Sequence, residues 1–193
     1  MDPQHRMLLE CGWEAAESSG RDPMGLKEEA GMTGVYVGVA SGDYASRMGN
    51  KEAMEFGSTG VAGSTAAGRV SYVLGVTGTA VSIDTACSSS LVSLIYGAKS
   101  VGRGEEWGAL CFGVQELCGA GQFLSFAKAG MLSPDGRCKT FDGRANGYVR
   151  AEGCGAVLVK RREEGDVERG AVVGYAINQD GRSNGLTAPN GPS

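Results

Sequence analysis

The stretch Ile83-Asp84-Thr85-Ala86-Cys87-Ser88-Ser89-Ser90-Leu91 sets one thiol between two different hydrophobic patterns. Upstream, residues 76–83 are rich in Val, Thr and Ile, which predicts a strand. Downstream, Leu91, Leu94, Ile95, Ala98 and Val101 recur at helical spacing. Small residues fill the corner between them. A sharp strand-to-helix corner turns its central side chain outward, the device of nucleophile elbows. It also sets Cys87 at a helix N-terminus, where the helix dipole and unpaired amides favour an anion. Such surroundings lower a thiol pKa from about 8.5 and raise the thiolate fraction at neutral pH. Cys87 is therefore a candidate covalent nucleophile able to carry an acyl group. The competing reading is an inert cysteine serving as a small buried hydrophobe. The serines beside it lack a G-x-S-x-G frame, so serine-hydrolase chemistry does not fit.

The rest of the chain must position that corner. Residues 1–19 read as a helix, with Met7, Cys11 and Ala15 on one face and Pro3 in the first turn. His5 lies on it and is expected at its polar surface. Residues 33–40 (TGVYVGVA) read as a strand, 41–60 as a loop with one helical turn at most, and 64–74 as a small-residue helix capped by Ser64. Gly102 and Gly104 end the helix after Cys87. Residues 107–117 read as a buried strand, and 119–126 as a loop or short helix. Ser133-Pro134-Asp135-Gly136 is a turn signal. The apolar run 153–159 predicts a strand covered on both faces, 160–169 a solvated connection, and 170–178 a further strand. The Gly-, Asn- and Pro-rich tail 179–193 has no periodicity. Alternating helix and strand patterns argue for an α/β layered domain.

Composition narrows the function classes. The chain has 193 residues, enough for one domain with a real core, and 33 of them are glycine. No collagen period exists, so the glycines serve turns and close packing of elements. The net charge of −4 argues against a nucleic-acid partner, which leaves a basic patch. No apolar run approaches the ~18 residues of a membrane span. The six cysteines are spread singly, without a C-x-x-C pair, and there is one histidine, so a metal site is not expected. Unpaired cysteines fit a reducing compartment, and with no signal seen the cytoplasm or a plastid is expected.

Asp84-Thr85-Ala86-Cys87-Ser88-Ser89-Ser90-Leu91 resembles the active-site motif of β-ketoacyl synthases, in the form found in modular (type I) polyketide synthases. The likeness continues in order along the chain. Asp2-Pro3-Gln4-His5-Arg6 with Trp13-Glu14-Ala15 resembles an early ketosynthase helix. Thr33 to Gly38, Ala67-Gly68-Arg69-Val70-Ser71-Tyr72, Leu132 to Lys139, Phe141-Asp142, Glu152-Gly153, Asn178-Gln179-Asp180-Gly181 and Asn184 to Ser193 follow. Two departures lie away from the chemistry: Gly78-Thr79 stands where the family usually has Gly-Pro, and the connection at 161–169 looks short.

The resemblance implies a thiolase-like layered fold, with most of the first βαβαβ half and the start of the second. It also implies that residues 1–193 are a partial ketosynthase domain, truncated at both ends. It implies that Cys87 takes an acyl group and that a malonyl-type extender is then joined by decarboxylative Claisen condensation. The Cys87 amide would be one oxyanion donor. No cofactor is expected to be bound. The acyl and malonyl groups arrive on the phosphopantetheine of an acyl carrier protein or on coenzyme A. The expected partners are the carrier protein and, in the full-length domain, a second copy at the region of residues 64–74. The family's two catalytic histidines sit in His-Gly-Thr-Gly-Thr and Asn-x-Gly-His contexts, neither of which occurs here; His5 matches the early helix instead. Lys139 and Arg144 could meet a carrier phosphate but read as a solvated face. The motif style favours polyketide over fatty-acid output. The alternative function is a truncated, non-catalytic chain acting only as an association module.

Overall fold

The computed structural model of the chain describes residues 1–29, 32–40, 42–48, 55–186, 188 and 190–191. The elements run α1 (Pro3–Ser18), α2 (Leu26–Glu29), β1 (Thr33–Val39), a 3₁₀ turn (Tyr44–Arg47), α3 (Gly57–Val61), α4 (Ser64–Leu74) and β2 (Ala80–Ile83). A second 3₁₀ turn (Ala86–Ser88), α5 (Ser89–Arg103), β3 (Gly108–Gln115), α6 (Gly121–Lys128) and β4 (Gly153–Lys160) follow.

Local chemistry explains the element ends. Asp2 caps α1, its carboxylate accepting from the Gln4 amide at 2.9 Å, and Pro3, which has no amide to satisfy, opens the helix. α5 ends at Gly104 in the left-handed region, φ 75°, where a glycine carries no Cβ penalty. α4 departs from expectation at its start. Gly63 holds the cap position and Ser64 is the first helical residue, with no side-chain cap bond. Thr65 supplies the polar contact instead, its Oγ1 lying 2.8 Å from the Ala62 carbonyl.

The four strands order β2-β1-β3-β4. β1 runs parallel to β2 and β3, while β4 closes the sheet antiparallel to β3. β1 is buried throughout and β3 nearly so, which explains their near-continuous apolar sequences. Alternation along β3 divides the core. Leu110, Phe112 and Val114 pack with Leu8 of α1 and Val70 of α4 on one face. Ala109 and Cys111 pack with Tyr36 and with Val101 of α5 on the other. Glu106, buried just before β3, accepts from Tyr36 Oη at 2.8 Å and from the Thr79 amide at 2.6 Å, so one carboxylate ties β1 to the approach of β2.

Two expected strands behave differently. Residues 153–160 do form β4, but only one face is covered along its length; the other is covered at Val159 alone, against the cluster that holds Val101. Cys154, Ala156 and Leu158 pack against the α1 side, whereas Val157 is 49% exposed. A helix is about 10 Å across and strands lie about 4.8 Å apart, so α5, seated over β1 and β3, reaches the outer strand only near Val159. Residues 170–178 form no strand, and Val173 is 97% exposed. A strand needs a neighbour for its amides and carbonyls, and no described strand pairs with this segment. The loop 41–60 carries both the Tyr44–Arg47 turn and α3; positions 41 and 49–54 of it lie outside the described residues, as do 187, 189, 192 and 193 of the tail.

Candidate active site

β2 ends at Ile83, paired in register with Gly38 of β1, and the chain then folds over into α5. Four short hydrogen bonds build the corner. The Asp84 carboxylate accepts from the Ala86 amide at 2.9 Å, an Asx turn. Ser89 Oγ accepts from the Thr85 amide at 2.8 Å and donates to the Ala86 carbonyl at 2.7 Å. Ser88 Oγ lies 2.9 Å from the Thr85 carbonyl. Ala86, with φ at 57°, occupies the left-handed region that a residue with a Cβ rarely adopts. Backbone strain of this kind is held only where the surroundings over-determine it. It delivers Cys87, exposed, at the last turn before the α5 N-terminus.

The helix can come so close because glycines lie under it. A Cβ at Gly38 would sit 2.6 Å from the backbone of Ser89 and Ser90. A Cβ on Gly113 of β3 would collide with Ser90. Ser93 Oγ then pins the helix to the sheet, 2.8 Å from the Phe112 carbonyl. These residues are the part of the site that motif reading missed. An isolated glycine inside a strand pattern, as at Gly38 and Gly113, is the signal that marks close backbone approach.

Cys87 opens on a groove of about 630 Å³ between α5 and β4. Gly38, Leu91, Leu94, Gly113, Gly155 and Val157 line it, a predominantly apolar wall. Leu91 and Val157, large and exposed, face solvent across it. Cys111 is on the floor, where burial, with Glu106 adding, pushes its thiol up to about 12. Cys111 is thus shut away from solvent, while Cys87 is exposed.

His5 is not at the helix surface. It is 2% exposed, and its Nδ1 accepts from Arg69 Nε of α4 at 3.3 Å. Burial lowers its pKa, Asp2 opposes, and Arg69 adds to the lowering, so the ring is held neutral. The α1–α4 layer lies on the face of the sheet opposite α5, so His5 and Cys87 are not brought together. Lys139 is engaged by Asp135 at 2.6 Å and by Asn146 at 2.7 Å, and Arg144 by Asp142 at 2.7 Å. Among the described residues no group of three or more His, Cys, Asp or Glu is placed to hold a metal, and no helix is long and apolar enough to cross a membrane.

A mixed, mostly parallel sheet layered between helices, with an exposed cysteine at a strained strand-to-helix corner, is the arrangement of a thiolase-like fold. Residues 1–165 match the family described as Beta-ketoacyl synthase, N-terminal domain, and the chain belongs to the β-ketoacyl synthase family. Its similar proteins are modular polyketide synthases. It is 50% identical to a mycoketide-CoA synthase of Mycobacterium tuberculosis, over 100% of this chain and 5% of that protein. It is 45% identical to an erythronolide synthase of Saccharopolyspora erythraea, over 100% of this chain and 6% of that protein. Among solved structures, a ketosynthase from module 6 of the bacillaene synthase of Bacillus subtilis 168 superposes with a TM-score of 0.88 at 40% identity, over 98% of this chain and 32% of that one. An oxazolomycin ketosynthase domain of Streptomyces albus gives a TM-score of 0.75 at 37% identity, over 83% of this chain and 29% of that one. The chain therefore spans about a third of a solved ketosynthase and a small fraction of the curated relatives.

Proposed function

We propose that Cys87 is the acyl-accepting nucleophile of a polyketide-type ketosynthase, and that the chain is a partial ketosynthase domain. The observation that carries this is the exposed thiol at the strained corner, one turn ahead of the α5 N-terminus and open to an apolar groove. The Cys87 sulfur attacks the thioester carbonyl of an acyl group carried on phosphopantetheine. The carbonyl oxygen gains negative charge, and the Cys87 amide, in the turn that leads into α5, is the donor proposed for it. Collapse expels the pantetheine thiol and leaves the acyl group on sulfur. The extender is then a malonyl-type thioester, whose decarboxylation needs donors that this sequence does not supply, since its single histidine is on the far face of the sheet. The acyl carrier protein is the proposed delivering partner. Exposed Tyr72 and Val73 on α4 support the proposal that two copies pair at that helix.

The test is acylation of the purified chain by an acyl-coenzyme A or a pantetheine thioester, followed by peptide mass spectrometry. An acyl adduct on the Cys87 peptide that disappears in Cys87→Ala is expected, with no 3-ketoacyl product when malonyl thioester is added. Equal acylation of Cys87 and Cys138, the other exposed cysteine, would remove the assignment.

A further inference from the structure

α1 and β4 meet through two thiols that acyl transfer at Cys87 does not use. Cys11, on α1, and Cys154, on β4, are both half-buried and both free. They are 143 positions apart in sequence, yet Cys11 Sγ lies 3.9 Å from the Cys154 carbonyl oxygen. Cys154 belongs to the row of β4 side chains that packs toward the α1 side of the core. Burial, and then a hydrogen bond between the two thiols, holds the Cys154 pKa above the ordinary thiol value. The other cysteines are placed differently. Cys111 lies against the Ala109 carbonyl of its own strand, and Cys138 accepts from the Val149 amide at 3.2 Å.

We propose that Cys11 and Cys154 are a modification site, joined as a disulfide when the chain meets a disulfide oxidant such as oxidised glutathione. One cysteine, as its thiolate, attacks the glutathione disulfide and releases one glutathione thiolate, leaving a mixed disulfide. The second cysteine, deprotonated in turn, attacks the protein sulfur of that mixed disulfide and releases the other glutathione. Two protein S–H bonds and one glutathione S–S bond become one protein S–S bond and two glutathione S–H bonds. The two electrons pass from the protein thiols to glutathione.

The position of the pair gives the link a consequence. β4 is the outer strand, held by β3 on one side and covered by α1 on one face. Gly153 and Gly155, on either side of Cys154, line the groove at Cys87. Side chains alternate across a strand, so a Cys11–Cys154 link fastens that wall of the groove from behind and puts no atom into it. Oxidation then stiffens the wall without blocking Cys87, and reduction releases it.

The experiment incubates the full native chain in a mixed reduced and oxidised glutathione buffer, alkylates free thiols, and digests without reduction. A cross-linked peptide pair containing Cys11 and Cys154 is expected, lighter by two hydrogens than the separate peptides. The oxidised chain should show slower amide exchange in 153–160. Its melting temperature should rise on the order of 5–10 °C, because the link closes a long loop. The same buffer with urea present should give scrambled pairs. Glutathione adducts without the link, links to other cysteines in the native chain, or full alkylation of Cys11 and Cys154 while Cys87 oxidises would each overturn the proposal. Cys11→Ser and Cys154→Ser should each abolish the link. The wild-type peptide map decides the question alone if either variant fails to fold.

Discussion

Two segments of this chain share a composition and end differently. Residues 33–39 (TGVYVGV) and 171–177 (AVVGYAI) are both runs of Val, Gly, Tyr and small residues. The first is β1, buried at every position between two parallel neighbours. The second pairs with no described strand and leaves Val173, Tyr175 and Ile177 open to solvent. Intrinsic preference is therefore equal, and the difference is the neighbour. β1 has strands on both sides and helices on both faces, so its backbone is paired along both edges and its side chains are buried. Residues 171–177 lie beyond the charged turn after β4. There Lys160 is occupied by Asp166 at 2.6 Å and Glu163 at 2.9 Å, and among the described residues no strand extends the sheet past β4.

The contrast is sharpest at paired glycines. Gly38→Val should be the most damaging change, because the new side chain must enter the Ser89–Ser90 backbone that sits on the strand. A loss of more than about 4 kcal/mol is expected, enough to abolish a cooperative urea transition. Gly174→Val is its control, since no heavy atom lies within 4 Å of the added Cβ. Comparable losses at the two sites would break the comparison. The next effect is at Tyr36, whose hydroxyl satisfies buried Glu106. Tyr36→Phe removes a donor from a buried carboxylate, and about 1–3 kcal/mol should be lost in the urea midpoint.

What the sequence made legible follows the same division. β1, α4, α5 and β3 could be read because each has a periodicity or an apolar run that its neighbours reinforce. The Cys87 corner was legible because strand and helix patterns meet at one thiol with small residues around it. Three things were not legible. The 170–178 pattern says nothing about whether a neighbouring strand is there. The apolar run of β4 does not reveal that its strand is outermost, so coverage was expected on two faces. His5 on a polar helix start looks exposed, because burial there depends on Arg69, 64 positions away.

Acid should separate the buried half of the molecule from the open one. His5 is held neutral with a lowered pKa, chiefly by burial. Near 6.5 the unfolded chain takes up a proton that the folded chain refuses, so stability declines as pH falls from about 6.5 toward the folded value and levels off below it. Above that window His5 contributes no slope. Melting at about pH 5 and about pH 7.5, in the wild type and His5→Gln, checks this. The variant should lose part of the pH dependence, and an unchanged slope would place the acid sensitivity elsewhere.

The smallest effect should be at Val173, and it tests the comparison from its other side. The side chain is 97% exposed, so Val173→Ala removes methyl groups that already face water. Neither apolar transfer nor a cavity opposes the change, and the urea midpoint should move by no more than about 0.5 kcal/mol. The equivalent truncation at Val37, which is 0% exposed, costs the burial of those same groups plus the space they leave, about 1–3 kcal/mol. The two variants remove the same atoms from the same residue type. A loss at Val173 as large as that at Val37 would mean that residues 171–177 pack against something in solution, and the difference between the two segments would then not be one of available partners.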